Sequence, residues 1–148
     1  MYFISVTRLR VRSMIYLPGF ILANEASIRS IKKISGFIAG KELVDKGFTF
    51  WTVTLWESDK AMKYFTNNDP HKTAMRKLPH WCDEGAYVHW LQEDDVIPEW
   101  NFLYKKLMTE GKLTKIKHPS ARQANMSYPA IMWSKIERPF KSIIVSTN

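Results

Sequence analysis

Between Tyr2 and Arg12 the chain alternates. Tyr2, Ile4 and Val6 fall on one parity and Phe3, Leu9 and Val11 on the other, the rhythm of a strand. From residue 19 the period lengthens. Phe20, Ala23, Ser27, Ile31 and Ile34 recur at three- and four-residue steps with Ile28 beside them, which predicts a helix over 19–34 that Ser35-Gly36 ends. Two strands follow, 37–46 and 48–57, joined by a Lys46-Gly47 turn. Ser58 has the chemistry of an N-cap for a helix from Asp59 to Asn67, with Ala61, Met62 and Phe65 on its inner face. Asn67-Asn68-Asp69-Pro70 breaks that helix. A short one then spans His71 to Leu78, closed by Pro79, and 84–92 forms a fourth strand. Strand, helix, strand, strand, helix, strand is the ferredoxin-like split unit, an α+β fold with an antiparallel sheet.

The third strand carries the most information. Phe48, Phe50, Thr52, Thr54 and Trp56 share one parity, and Thr49, Trp51, Val53 and Leu55 the other. A strand with one wet face would alternate cleanly; bulky apolar residues on both parities predict a sheet covered on both faces. Two helices cover one face, and the other is expected to need a second copy of the chain, a homodimer. Glu93-Asp94-Asp95 then marks a boundary. The domain proper is assigned to 1–93, and 94–148 is read as a C-terminal extension packed on it. The extension opens with a helix from Pro98 to Glu110, whose Trp100, Leu103, Tyr104, Leu107 and Met108 are too apolar for a free helix and too few for a core of their own. Residues 112–148, with Pro119, Pro129 and Pro139, read as irregular apart from one strand at 141–146.

Charge and cysteine narrow the classes. Of the net +8, residues 101–148 hold nine Lys/Arg against Glu110 and Glu137, a balance of +7, so the basic character belongs to the extension. No nucleic-acid motif accompanies it, and the aromatics lie mostly in the near-neutral part, so no nucleic-acid partner is expected. Arg8, Arg10 and Arg12 ahead of the apolar run 14–23 mimic a secretion signal. They alternate with Leu9 and Val11, however, and follow an apolar strand, so the run is read as structure. No run approaches the ~20 apolar residues a membrane helix needs. The lone Cys82 excludes an internal disulfide and a thiolate metal site, and the expected location is cytoplasmic.

Candidate chemistry is sparse. His71 opens a helix, where the dipole disfavours the imidazolium; it suits a base, a hydrogen-bond partner or a ligand. The alternative is a helix-start histidine facing solvent. His89, in mid-strand between Val88 and Trp90, reads first as a buried histidine bonded to a neighbour. His80 and His118, each beside a proline, read as loop residues. Their spacing from His71 and His89 makes no metal motif. Cys82 precedes Asp83 and Glu84, which disfavour a thiolate, and no Gly-rich phosphate loop is present. Six tryptophans in a chain that is 14 % aromatic are expected mainly in the core. Trp51, Trp56, Trp81, Tyr87 and Trp90 are nonetheless expected to gather where the sheet meets the second helix.

Residues 48–92 add a resemblance. The strings Phe-Trp-Thr-Val-Thr-Leu-Trp-Glu (50–57), His-Lys-Thr-Ala-Met (71–75), Trp-Cys-Asp-Glu (81–84) and His89-Trp90 are similar to a bacterial family of unknown function. Glu110-Gly111-Lys112-Leu113 and His118-Pro119-Ser120 extend the likeness to about residue 120. That family sits among the dimeric α/β-barrel proteins, beside the antibiotic-biosynthesis monooxygenases. A fainter likeness is to the spheroidene monooxygenases, which use haem. The resemblance implies a homodimer whose protomers each hold a small, planar hydrophobic molecule between sheet and helices. Catalysis would rest on His71, Tyr87 and His89, with Trp51 a further candidate donor. Trp51, Trp56, Phe65, Met75, Trp81 and Trp90 would hold the substrate. The preferred function is a monooxygenase-like oxidation without metal or cofactor. One alternative is haem held by His71; another is a non-catalytic binding module. The haem-degrading branch uses an Asn, a Trp and a His at positions that are Thr7, Phe65 and Met75 here. The likeness therefore argues against ordinary haem degradation.

Overall fold

The computed structural model describes residues 1–144. In chain order it contains β1 (Tyr2–Val11), α1 (Leu17–Ile31), β2 (Phe37–Asp45), β3 (Thr49–Trp56), α2 (Asp59–Thr66), α3 (His71–Trp81), β4 (Cys82–Gln92), α4 (Trp100–Glu110), β5 (Lys112–Leu113) and β6 (Glu137–Lys141). The strands form one antiparallel sheet in the order β5-β4-β1-β3-β2-β6. The α+β ferredoxin-like reading is what the chain adopts. No helix among the described residues is long and apolar enough to cross a membrane.

Three boundaries differ from the sequence pattern for local reasons. Gly47 and Phe48 both take positive φ (72° and 60°), so Phe48 belongs to the β2–β3 turn and β3 starts one residue later. The helix α3 runs past Pro79 to Trp81. A proline in the last turn forfeits a single bond, and the Cys82 N–H then closes the helix on the Leu78 carbonyl. The C-terminal strand lies at 137–141 rather than 141–146, because its partner residues on β2 begin at Ala39, opposite Lys141; residues 145 and 146 lie outside the described part.

The sheet is covered on both faces by this chain alone. On one face lie α1, α2 and α3. Phe3, Ile28, Ile31, Phe37, Trp56, Met62 and Phe65 form one apolar cluster there, and Val11, Phe20, Phe50, Leu78 and Cys82 another. On the second face Leu103 and Leu107 of α4, both 0 % exposed, pack on Ile4, Val6, Trp51, Val53, Leu55 and Val88. The segment after β5 completes the cover. The Gln123 carboxamide accepts from the Gly85 N–H (3.0 Å) and donates to the Gly85 carbonyl (2.9 Å), as a neighbouring strand would. Asp45 accepts from the backbone N–H groups of Met132 and Trp133 (3.1 and 2.9 Å). Between these ties lies a buried ion pair: Arg8 donates to Glu84 (2.7 Å), which also accepts from the Ser120 hydroxyl (2.8 Å), and the Arg8 guanidinium sits 4.0 Å from the centre of the Tyr128 ring. The inference from a two-sided pattern to two covered faces is sound. On the second face, for which the sequence pattern suggests a second copy, lie α4 and the segment behind it.

Candidate active site

Between the first face and its helices lies a cavity of about 570 Å³. Its floor follows from strand register. Thr52 of β3 stands opposite Thr7 of β1, and Thr7 opposite Tyr87 of β4. One step along, Thr54 stands opposite Ser5 and Ser5 opposite His89. Because these residues share a parity, two rows of hydroxyl, phenol and imidazole groups cross the floor, all lining the cavity. The walls are largely apolar, with Phe20, Ile28 and Ile31 from α1, Met62 and Phe65 from α2, and Leu78 and Trp81 from α3. Gly19 lets α1 close on Trp81, since a Cβ there would stand 3.3 Å from the indole. The Trp56 indole N–H is spent on the Thr54 hydroxyl (2.8 Å).

His71 enters this space from the start of α3. Its first turn is held by the Asp69 carboxylate, which accepts from the Thr73 N–H at 3.1 Å. The imidazole leans on Phe65 with ring centres 4.8 Å apart, and its Nδ1 is buried without a hydrogen-bond partner. Burial pulls its pKa below the usual imidazole range, against a smaller opposing effect of the Thr66 backbone. The ring is therefore neutral near pH 7. His89 departs from the sequence reading. It is exposed rather than buried, at the cavity rim, with its ring 5.3 Å from those of Phe3 and Tyr87. Partial burial of the ring, with Lys112 and Lys63 nearby, also lowers its pKa.

The remaining candidate residues divide between the two faces of the sheet. Trp56, Phe65, Met75, Trp81 and Tyr87 line the cavity. Trp51 and Trp90 do not. Trp51 is fully buried on the second face beside Tyr104, its own indole N–H unpartnered, and Trp90 lies there against Phe102 and Lys106. Trp51 is thus no oxyanion donor for this cavity. His80 belongs to the last turn of α3, not to a loop, with its ring against Tyr16 and His118. Burial, with Asp83 beside it, pushes the Cys82 thiol up to about 12, so it is an inert core group. Among the described residues no group of three or more His, Cys, Asp or Glu could hold a metal ion.

Sequence reasoning missed three contributors. The hydroxyl rows were visible as alternating Thr52 and Thr54, but their partners on β1 needed the register. Asn24 of α1 lines the cavity with its amide N–H donated to the buried Glu42 carboxylate (2.7 Å). Phe140 of β6 also lines it, from a segment read as irregular at that point.

No protein-family model and no curated protein matches the chain. Solved structures do. Rv0793 from Mycobacterium tuberculosis matches with a TM-score of 0.59 at 10 % identity, over 66 % of this chain and 100 % of that one. SnoaB, a cofactor-independent oxygenase from Streptomyces nogalater, matches with a TM-score of 0.53 at 14 % identity, over 66 % and 98 %. An antibiotic biosynthesis monooxygenase matches with a TM-score of 0.55 at 8 % identity, over 62 % and 99 %. About a third of this chain therefore lies beyond the length of these proteins. At such identities the likeness is one of fold: the chain shares the ferredoxin-like α+β architecture of the antibiotic biosynthesis monooxygenase-like proteins.

Proposed function

We propose that the chain is a monooxygenase-like enzyme that oxidises a small hydrophobic molecule with molecular oxygen in this cavity, without metal or organic cofactor. The observation that carries the reading is His71, a neutral imidazole lining a cavity that is largely apolar in its walls and hydroxylic in its floor. The fold it shares with a cofactor-independent oxygenase supports the same reading. A substrate with an activated methylene group would lose a proton to His71. Tyr87 and the threonine hydroxyls would donate to the oxyanion that develops. The carbanion reduces oxygen and bonds to it, and the hydroperoxide loses water to leave a carbonyl. One oxygen atom stays in the product, the other departs as water, and the substrate supplies all the electrons. The proton taken up by His71 returns to the peroxide anion to give the hydroperoxide, directly or through His89 at the rim, so none is released overall.

Haem fits the lining poorly. Thr7, Phe65 and Met75 occupy the positions at which the haem-degrading branch has its functional residues, and Lys72 is the single cation on the described lining to meet two propionates. The test is oxygen uptake and ¹⁸O₂ incorporation over a panel of activated methylene compounds and phenols, together with a haemin titration. Turnover lost at least tenfold in His71→Ala, with no Soret shift on haemin, is the expected result. A Soret band that disappears in His71→Ala would replace this reading by the haem-binding one. Saturable binding with no turnover of any compound would leave a non-catalytic binding module. A homodimer, which the resemblance implies, would have to form elsewhere than on the second sheet face, since α4 fills it.

A further inference from the structure

We propose that Phe140, carried by β6, is the end wall of the cavity and sets the length of the molecule it accepts; this rests on the cavity being a ligand site. One side chain is missing from the floor. β2 would contribute its own residue to the row Thr54–Ser5–His89, but the position opposite Thr54 is Gly40. β6 pairs with β2 so that Phe140 lies opposite Gly40, on the same face. A Cβ on Gly40 would come within 2.5 Å of two Phe140 ring carbons and 2.8 Å of the Val53 carbonyl oxygen. The ring thus occupies the space that Gly40 leaves empty, and it is the one buried residue of a strand otherwise exposed. It is held from behind by Phe37, with ring centres 5.8 Å apart and planes 18° from parallel. Two residues earlier on the same face, Arg138 forms an ion pair with Glu25 of α1 and approaches Glu42 of β2 at 3.7 Å, which fixes β6 across the end of the cavity.

The opposite end of that row is His89. Three interstrand steps of about 4.8 Å separate His89 on β4 from Gly40 on β2, over which the Phe140 ring lies, so the open floor is roughly 14 Å long. A ligand lying along the row is therefore stopped by an aromatic ring that the C-terminal extension supplies, and not by the ferredoxin-like unit itself.

The experiment uses 4-alkylphenols of increasing chain length as probes. Trp56 and Trp81 line the cavity, so quenching of tryptophan fluorescence reads binding. With the natural chain, affinity is expected to rise with each carbon and then fall at least fivefold beyond a cut-off length. Phe140→Ala should move that cut-off outward by two or more carbons, and Phe140→Leu by fewer. Circular dichroism and melting curves identify any variant that fails to fold, and Phe140→Leu keeps the test open if Phe140→Ala does. An unchanged cut-off in a folded variant overturns the proposal and leaves the ligand site standing. Absence of saturable quenching by every probe in the natural chain overturns both.

Discussion

At the scale of single residues, the site was legible as far as chemistry goes and illegible where geometry decides. His71 could be singled out by its position at a helix start, and it lines the cavity. Trp51 and Trp56 could not be told apart as site residues by type, only by parity, and parity assigns one to the second-face core and the other to the cavity. Glu42 and Asn24 are eighteen positions apart with no motif between them, so nothing short of register unites them. The pH behaviour of His71 can be stated with its sign. Its folded pKa lies below the 6.5 of the unfolded chain, so between those two values the unfolded state binds more protons and stability rises with pH. Melting temperature should therefore fall from pH 7 to pH 5, and His71→Gln should remove part of that fall. The rate should rise through a pKa below 6.5 and level off by pH 7. A profile that falls over this range would show that His71 acts as an acid. Gly40→Ala, which meets backbone as well as ring, should lower stability by about 1–3 kcal/mol in urea denaturation.

Elements were read well where their signals are local. Ser58 caps α2 by accepting from the Ala61 N–H (3.3 Å), and Ser58→Ala should cost about 1 kcal/mol by the same measurement. Ties between elements were hidden. Arg8 and Glu84 are 76 positions apart, yet they form the pair that fastens the extension to the sheet through Ser120. Burial alone would push the Glu84 carboxyl up; the bonds from Arg8 and Ser120 and the charge of Arg10 outweigh it, and its pKa lies below the ordinary value. That contribution is present above the unfolded value of 4.5 and is lost as pH falls through the folded one. Because both partners are almost wholly buried, Glu84→Ala strands a cation and should destabilise by about 3–5 kcal/mol. Glu84→Ala combined with Arg8→Met should recover much of the loss. An additive double variant would mean that the two side chains do not act as a pair.

For the whole molecule, the hydrophobic pattern of β3 established that the sheet has two covered faces. It could not say what covers the second, because an apolar face looks the same beneath a partner and beneath the chain's own helix. The amphipathic stripe Trp100, Leu103, Tyr104 and Leu107 was legible, but not its address. If α4 and residues 112–136 stand in for a second copy, light scattering should give a particle near 17.4 kDa. Removing 94–148 should produce association or a sharp loss of solubility, since it uncovers Ile4, Val6, Trp51 and Val53 together. A stable dimer of the full chain would place the contact elsewhere.

The strand order also sets a timetable. β1 precedes both of its sheet neighbours in the chain, yet it lies inside the sheet between β3 and β4, with Phe3 opposite Trp56 and Arg8 opposite Ala86. It therefore waits for its second neighbour until β4 has been made. The cover of the second face arrives later still. Until Gln92 has left the ribosome the nascent chain can offer only an incomplete sheet with β1 at its edge, and until α4 follows it, Trp51 and its neighbours remain bare. Chains arrested before α4 emerges should be cut readily by protease and held by chaperones, and those released at full length should not.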